Sequence, residues 1–407
     1  MERKMTNGKQ TVGQSDSNPI KPQRRYDIDW LRVLAVLLLF PFHTARIFDT
    51  HSNWYVKNAL LSEALTYFIF YLHPWHMALL FLLAGASTWF ALGFRSGGQY
   101  VKERFIRLLI PLIFGLLVIV PPQSYFGLLS HTGFSGTYLE WYPNYFSLNP
   151  ADMDGYFLGG FALGHLWFIL FLFLFSLLAL PLFLFLRRHD FGKRLVGWLA
   201  AFCSYPGMIF LLAIPLYAVY RLIDFYPSPL YFITVFIYGF LLVADSRFEV
   251  AIDRHKAVAL VLGPVLWLFV AYFQVFGGFP RVLPSWIIDV YVNGFAAWFF
   301  LIAILGYGRQ FLNFTNRFLK YNAESSYPVY ILHQTVIVIV GYYVAQWTLG
   351  IAIKYAAILT IATGVTFIVY DLVVKRTNIT RFLFGMRLLK KKQLVAPPTE
   401  LDNSQEK

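Results

Sequence analysis

Long apolar stretches recur through this sequence of 407 residues, and about ten of them approach the length of a membrane-spanning helix. A helix needs ~20 predominantly apolar residues to cross the hydrocarbon core of a bilayer. Because hydrophobic residues make up 58% of the chain, an ordinary soluble fold is excluded. The sequence therefore predicts an all-α, polytopic integral membrane protein. The predicted spans are 27–48, 65–94, 105–121, 165–186, 206–222, 229–244, 257–276, 286–306, 325–347 and 351–374.

The basic residues that give the chain its formal net charge of +13 are concentrated in particular predicted loops and in the tails. Lys and Arg are frequent in both terminal tails and in alternate loops, whereas residues 121–164 contain neither. Cytoplasmic loops of membrane proteins carry an excess of Lys and Arg. The pattern indicates an even number of spans with both termini in the cytoplasm. It also explains the basic charge without nucleic acid as a partner.

The chain divides into one membrane domain and two polar tails. Residues 1–25 are rich in Ser, Asn, Gln and Lys and are predicted to be a disordered cytoplasmic tail. Residues 26–376 form the predicted membrane domain, whose first partner is the lipid bilayer, and residues 377–407 form a basic cytoplasmic tail. The single cysteine, Cys203, excludes an intrachain disulfide framework, and we expect it to pack as a small apolar group.

The first span carries Asp29, Arg32 and His43 on nearly the same helix face, in this order from its cytoplasmic end. Arg32 and His43 are eleven positions apart, so they share a helix face with ~16 Å between them along the axis. Ionisable side chains at membrane depth are costly, and a functional role is the default hypothesis. The structural alternative, in which Asp29 pairs with Arg32 and His43 hydrogen-bonds a neighbouring helix, stays open.

Pro41 stands two positions before His43 in the same span. Proline lacks a backbone N–H and clashes with the preceding turn, so we expect it to kink the helix and to free the carbonyl of Leu37. Burial favours neutral imidazole, which can accept a proton. The position of His43 therefore suits a general base.

Arg104 and Arg107 are placed by the sequence at the cytoplasmic start of the third span. Residues three apart share a helix face, and the N-terminus of a helix attracts anions through its dipole. The pair is therefore a candidate anion site. Anchoring to lipid headgroups is the alternative, and spacing alone favours it.

No metal site is predicted. His73 and His76 are three positions apart on one face, but neither a carboxylate nor a cysteine accompanies them. Residues 1–407 also contain no glycine-rich phosphate loop and no nucleophile-elbow motif.

Aromatic residues crowd the long non-cytoplasmic segment 121–164, among them Trp141 and Tyr145. Such rings suit the membrane interface, and they would also stack on sugar rings. Both interpretations are kept, and the interface is the safer one. His165 begins the fourth span at the same outer level as His43, and the ninth span contains Pro328 in its first turn and then His333.

Several short motifs in this order resemble acyltransferase family 3, a family of integral-membrane acyltransferases. Its Arg-(ten residues)-His pattern falls on Arg32 and His43, and its Arg-x-x-Arg pattern falls on Arg104 and Arg107. Similarity to the glucan-modifying branch of the family comes from FPFH at 40–43, GHLWF at 164–168, YPSP at 226–229 and the segment 322–333. Together these pieces extend from about residue 26 to residue 371.

The resemblance implies a ten-helix core that transfers an acyl group, succinyl or acetyl, from cytoplasmic acyl-CoA to a hydroxyl of an extracytoplasmic glycan. His43 would be the catalytic base, and the CoA phosphates would bind Arg32, Arg104 and Arg107. Acyl-CoA would be a co-substrate, and no further cofactor is implied. The membrane would be the cell membrane, which is the inner membrane if the source is Gram-negative. The succinyl assignment depends only on the branch-like motifs.

The remaining candidate site residues follow from their positions in the sequence. Asp29, His165 and His333 are candidates for supporting roles, and Trp141 and Tyr145 are candidates for contact with the glycan acceptor.

Two other function classes fit the residues. A membrane transporter or exporter of a sugar or lipid-linked glycan would share the aromatic segment and the buried polar groups without needing an acyl donor. In a membrane sensor or assembly subunit, His43 and the arginines would be structural. The sequence also leaves open whether the protein forms a homo-oligomer.

Overall fold

A computed structural model describes residues 24–51, 53–148, 158–222, 228–275 and 294–389, and all regular secondary structure within these ranges is helical. The α-helices are α1 (Tyr26–Leu37), α2 (Leu39–Ala45), α3 (Glu63–Leu72), α4 (His76–Ala91), α5 (Gly97–Arg104), α6 (Ile110–Phe114), α7 (Pro121–Thr132), α8 (Tyr138–Trp141), α9 (Trp167–Leu178), α10 (Leu180–Arg188), α11 (Asp190–Ser204), α12 (Ala213–Leu222), α13 (Pro229–Leu242), α14 (Ser246–Val275), α15 (Ala297–Phe311), α16 (Arg317–Ala345), α17 (Ile351–Val369) and α18 (Asn378–Leu383).

Parts of several predictions lie outside the described residues. These parts are most of the N-terminal tail, the end of the C-terminal tail, the first half of the predicted span 286–306, and the first two residues of the motif at 226–229.

Six continuous helical segments of the described chain are long and apolar enough to cross a bilayer. They are Tyr26–Ala45, Glu63–Ala91, Gly97–Thr132, Gly294–Phe311, Arg317–Ala345 and Ile351–Val374. Two bent helix pairs also qualify, one with an angle of 47° between α9 and α10 and one with 107° between α13 and α14. The predicted span 206–222 contains only a shorter apolar helix, Met208–Val219. The protein is therefore an all-α, multi-pass membrane protein.

The first span is interrupted close to its proline, as predicted. α1 ends at Leu37 and α2 begins at Leu39, so the break falls three residues before Pro41, whose ring disfavours the preceding helical turn. The Tyr355 hydroxyl of α17 donates a hydrogen bond of 3.1 Å to the Pro41 carbonyl. The break is local, because Leu38 keeps helical dihedral angles and its N–H donates 2.9 Å to the Leu34 carbonyl. Helix α17 thus holds the part of the span that carries His43.

The third segment begins earlier than the sequence predicts. Ser96 and Gln99 form a reciprocal capping box, which satisfies free N–H groups at the start of α5. Arg104 therefore lies at the end of α5, and Arg107 lies in a π-helical turn that follows it. Because the field of a helix terminus acts only within the first turn, the predicted contribution of the helix dipole to an anion site at these arginines is wrong.

Helix α16 also begins earlier than predicted. The Asn316 side chain accepts a hydrogen bond of 2.8 Å from the Leu319 N–H and caps the helix at Arg317. Pro328 therefore lies inside the helix and not in its first turn, which corrects the sequence prediction. Because the cap starts the helix in polar sequence, before the apolar run begins, a prediction from hydropathy alone places the start of the helix too late.

Helices α4 and α13 pack with their backbones almost in contact. A Cβ atom added to Gly85 would lie 1.9 Å from the Phe236 carbonyl oxygen, and one added to Gly239 would lie 1.9 Å from the Leu82 carbonyl oxygen. Small residues allow membrane helices to approach closely in this way. The small-residue patch of α4 therefore serves packing, and it gives the bundle a rigid wall beside α1.

An ionic network joins α1, α14 and α15 at the end of the bundle where α1 begins. Glu249 of α14 pairs with both Arg25 and Arg309, Asp27 pairs with Arg25 at 2.8 Å, and Asp253 pairs with Arg309. A cleft at this end is lined by all of these charged groups except Asp253, and by apolar residues of α4 and α13. We refer to this end of the bundle as the basic end.

Candidate active site

Three histidines from three separate elements meet in the interior of the bundle. His43 comes from α2, His165 from a 3₁₀ turn (Gly164–Leu166) before α9, and His333 from the middle of α16. The ring centres of His43 and His333 are 5.1 Å apart, and those of His165 and His333 are 5.0 Å apart. The structure therefore brings together the predicted base and two of its predicted supporting residues.

His165 has both ring nitrogens engaged. Its Nε2 lies 2.9 Å from the Ile331 carbonyl oxygen, so this nitrogen donates. Its Nδ1 is then the acceptor, and the Gln123 amide lies 3.4 Å from it. The Tyr330 hydroxyl also donates to the His165 backbone carbonyl. With both nitrogens occupied, His165 is placed to fix the neighbouring groups and is not free to move a proton.

A buried amide network supports this turn, and sequence reasoning missed it. Gln123 donates 2.6 Å to Thr335 and accepts 2.9 Å from Gln334, while Thr335 donates 2.7 Å to the Ile119 carbonyl. All three side chains are buried. The polar residues within the apolar sequence of α7 and α16 could have indicated this network, because buried amides and hydroxyls need hydrogen-bond partners.

His43 and His333 each carry a buried nitrogen that no described group meets. His333 is fully buried, and its Nδ1 lies 2.6 Å from the Tyr330 carbonyl oxygen, whereas its Nε2 has no hydrogen-bond partner. His43 is partly exposed as a residue, but its Nδ1 is buried and likewise has no partner. Orphaned buried nitrogens are costly, and they mark a site that other atoms complete.

Trp54 covers the imidazole of His43. The two rings are nearly parallel, at 13°, with their centres 6.0 Å apart. His131, near the C-terminal end of α7, lies with Nε2 2.7 Å from the Trp54 carbonyl oxygen and so anchors this part of the loop. The wall of the histidine cluster is therefore built from the α2–α3 loop and α7.

Arg32 lies nearer the basic end of the bundle than His43. One of its terminal nitrogens donates 2.7 Å to the Ser87 hydroxyl, and the other lies 3.3 Å from the Asp29 carboxylate. Asp29 also pairs with Arg24 at 2.8 Å. The predicted pairing of Asp29 with Arg32 is present, but it leaves Arg32 more than one-third exposed, with its head group at a polar position on α4.

Arg104 lies at the same level. Its guanidinium carbon is 4.6 Å from the centre of the Tyr100 ring, and the Tyr100 hydroxyl is 3.1 Å from the Thr88 hydroxyl. Thr88 follows Ser87, which binds Arg32. Adjacent residues of α4 therefore connect to both arginines, although they belong to two different segments.

Arg107 shares its carboxylate with a second arginine. Glu103 lies 3.1 Å from Arg107 and 3.0 Å from Arg95, and the positive charges of Arg387 and Arg104 also act on Arg107. One carboxylate cannot neutralise four guanidinium groups. This part of the basic end therefore carries surplus positive charge and is suited to an anion.

Trp141 and Tyr145 are packed inside the aromatic segment. They are only 2% and 0% exposed, and their rings contact each other with centres 5.9 Å apart. The Tyr145 hydroxyl donates 3.2 Å to the Ala162 carbonyl, and burial raises the pKa of this hydroxyl, which stays protonated. Neither ring has a free face for a sugar in this arrangement. The adjoining Phe146 ring is 47% exposed and does have one.

Within the described ranges, no group of three or more His, Cys, Asp or Glu side chains is arranged to hold a metal ion. His76, one of the pair considered in the sequence, lies with its Nε2 2.7 Å from the Ala35 carbonyl oxygen. This nitrogen therefore carries a hydrogen and links α4 to α1.

Comparison with known proteins identifies the family to which the chain belongs. Residues 25–373 match the model of acyltransferase family 3, an acyltransferase domain, and the chain belongs to that family. It is a membrane protein with an acyltransferase domain.

The relatives that it resembles include glucans biosynthesis protein C of three bacteria. The Salmonella schwarzengrund protein is 23% identical over 389 residues, which cover 89% of this chain and 94% of the relative. The Salmonella agona protein is 24% identical over 391 residues with the same coverage, and the Escherichia coli protein is 24% identical over 409 residues, covering 93% and 99%. No solved structure matches the chain significantly.

Proposed function

We propose that this protein transfers an acyl group, succinyl or acetyl, from cytoplasmic acyl-CoA to a hydroxyl of an extracytoplasmic glucan. The observation that carries the proposal is the buried histidine cluster, in which His43 has an unpartnered Nδ1 and lies toward the opposite end of its segment from Arg32. The acceptor class follows from the name shared by the relatives.

The proposed topology has ten crossings with both termini in the cytoplasm. It counts the strongly bent pair α13 and α14 as two crossings and the path through α11 and α12 as one. Contacts along α14 support that path, because Arg254 donates 2.7 Å to the Ser204 carbonyl and the Gly207 N–H donates 2.9 Å to His255. The basic end is then cytoplasmic, as the positive-inside rule requires.

The donor site proposed here lies at the basic end and consists of Arg32, Arg104 and Arg107. Guanidinium groups form strong charge-assisted hydrogen bonds with phosphate oxygens. From Arg32 to His43 the segment rises by ~16 Å. A donor anchored by its phosphates at the basic end would extend its thioester along the bundle toward His43.

In the proposed reaction His43 accepts the proton of an acceptor hydroxyl. The hydroxyl oxygen then forms a bond to the thioester carbonyl carbon, the carbon–sulfur bond breaks, and the CoA sulfur leaves with the bonding pair. The proton on His43 passes to that sulfur, which restores the neutral imidazole and gives free CoA and an ester.

Trp141 and Tyr145 are proposed to act on the acceptor indirectly, by holding the aromatic segment in shape. Phe146 contacts Tyr145 with ring centres 5.3 Å apart and offers the exposed face that stacking on a sugar requires. The sequence predicted that both rings contact the acceptor directly. The proposal differs because two buried rings cannot stack on a ligand.

The test is consumption of acyl-CoA by the purified full-length protein in lipid nanodiscs. Succinyl-CoA and acetyl-CoA are supplied with a soluble glucan, and both thiol release and the mass of the glucan are followed. Glucan-dependent release of CoA is expected with one of the donors. His43→Ala should lower kcat by ~10²–10⁴-fold, the usual contribution of a general base. His189→Asn, at the exposed N-cap of α11, is the matched control, because Asn keeps a side-chain acceptor for the Phe191 N–H.

Two outcomes would reject the proposal. An exporter, or a sensor or assembly subunit, would leave acyl-CoA intact with every acceptor, and an exporter would instead move glucan across a vesicle membrane. Retention of wild-type turnover in His43→Ala would remove His43 from the chemistry even if the transfer reaction is confirmed.

A further inference from the structure

The pair of unpartnered nitrogens in the histidine cluster points to a second residue with a defined role. We propose that His333 is a positioning residue, which accepts a hydrogen bond from Nδ1–H of His43 and so directs the lone pair of His43 Nε2 toward the acceptor. The inference depends on the proposed role of His43 as general base and specifies how that base is held.

The tautomer of His333 follows from its neighbour. A backbone carbonyl can only accept, so the nitrogen 2.6 Å from the Tyr330 oxygen, Nδ1, carries the hydrogen. A neutral imidazole has one N–H, and Nε2 of His333 is therefore a lone-pair acceptor. His333 is fully buried, and this acceptor has no partner among the described residues.

Other donors close to His333 are already committed. The Gln123 amide donates to Thr335, and Nε2 of His165 donates to the Ile331 carbonyl. Nδ1 of His43 is the remaining buried ring nitrogen of the cluster without a partner. The acceptor on His333 and a nitrogen on His43 that can donate thus both lack partners, and the centres of their rings are 5.1 Å apart.

That separation fits an N–H···N hydrogen bond between ring edges. It is roughly one hydrogen-bond length of ~3 Å plus the radii of two imidazole rings. The rings are tilted by 45°, and rotation about the soft Cβ–Cγ torsion of His43 would bring the two nitrogens into line.

The consequence for catalysis is an ordered chain of groups. The Tyr330 carbonyl fixes His333, His333 fixes His43, and Nε2 of His43 is left as the proton acceptor. After proton transfer His333 also stabilises the imidazolium form of His43 by accepting from it. A carboxylate holds the base in the Ser-His-Asp arrangement, whereas a neutral imidazole does so here without placing a negative charge at membrane depth, where charge is costly.

The experiment compares His333→Ala, His333→Gln and His333→Asn in the full-length protein in nanodiscs, with kcat and KM measured for donor and acceptor. The Gln carbonyl oxygen reaches about as far as Nε2, whereas the Asn oxygen stops near the position of Nδ1. His333→Ala is expected to lower kcat by ~10²-fold with both KM values within ~3-fold of wild type. His333→Gln should recover at least ~10-fold in kcat over Ala, and His333→Asn should not.

A double variant separates positioning from a merely structural role. Residues that act as a unit lose activity non-additively, so His43→Ala/His333→Ala should be no slower than His43→Ala alone. Fluorescence-monitored melting and donor titration should give wild-type values for His333→Gln, which confirms an intact fold.

Three results would overturn the inference. These are a His333→Ala kcat within ~3-fold of wild type, equal kcat values for the Gln and Asn variants, or multiplicative losses in the double variant. If His333→Ala fails to fold, the comparison of Gln with Asn decides alone. Full activity in His43→Ala would instead reject the proposed function itself, so the two failures are distinct.

Discussion

The Arg32 guanidinium donates a hydrogen bond of 2.7 Å to the Ser87 hydroxyl, which joins the first segment to α4 at the basic end. Ser87 in turn donates 2.7 Å to the Leu83 carbonyl of its own helix. The cation is therefore held by a neutral partner in addition to Asp29, and its charge remains available to a bound anion.

Arg32→Ala should weaken donor binding more than Ser87→Ala does. Loss of a charge-assisted contact to phosphate costs ~1.5–3 kcal/mol, or about ten- to a hundred-fold in affinity, whereas loss of the neutral anchor costs ~0.5–1.5 kcal/mol. Titration of a non-hydrolysable acyl-CoA against each variant measures the difference. Equal losses in the two variants would mean that Arg32 serves the packing of α1 on α4.

Arg107→Ala and Glu103→Gln should change donor affinity in opposite directions. Removal of Arg107 takes away one phosphate contact and should weaken binding about ten- to a hundred-fold. Glu103 forms ion pairs with Arg107 at 3.1 Å and with Arg95 at 3.0 Å. Its neutralisation frees both guanidinium groups and should tighten the binding of the donor. Arg107→Lys should recover only part of the loss, because Lys lacks the bidentate fork.

The same acyl-CoA titration, repeated at low and high salt, checks this prediction. If Arg107 only anchors the chain to lipid headgroups, neither substitution alters donor affinity, and the effect appears in membrane insertion instead.

Gly239→Ala should destabilise the bundle, and Gly364→Ala should not. The new Cβ atom at position 239 would lie 1.9 Å from a backbone oxygen of α4. A Cβ atom added at position 364 would have no neighbouring atom within 4 Å. Overpacking costs ~1–3 kcal/mol, whereas Gly to Ala inside an unobstructed helix gains ~0.5–1 kcal/mol. Melting temperature in detergent, read by tryptophan fluorescence, should fall only for Gly239→Ala.

Phe146→Ala and Tyr145→Ala should separate recognition from folding in the aromatic segment. Phe146 is 47% exposed, so its loss should raise the acceptor KM while melting temperature and donor KM stay unchanged. Tyr145 is fully buried and donates to the Ala162 carbonyl, so its loss should lower the melting temperature first. A Phe146→Ala variant with wild-type KM for acceptor would place the acceptor elsewhere.

Much of the fold could be predicted from hydropathy and charge, because a bilayer selects apolar helices of limited length. The break near Pro41 was predictable for the same reason that proline disfavours helix interiors. The starts at Gly97 and Arg317 were not, because the caps at Ser96 and Asn316 initiate each helix in polar sequence.

The residues of the candidate site could be predicted from the sequence, but their arrangement in space could not. The first segment gives the spacing of Arg32 and His43, yet nothing in the sequence places His333 beside His43, since this contact joins α2 to α16 through tertiary packing. The buried network of Gln123 was missed because a glutamine that follows two prolines is typical of a loop.

The first span is one helical segment that two different helices hold, one on each side of Leu38. The part that carries Arg32 is fixed to α4 through Arg32, and the part that carries His43 is fixed to α17 through the Pro41 carbonyl. The cationic end and the imidazole end can thus be aligned separately, each by its own neighbouring helix.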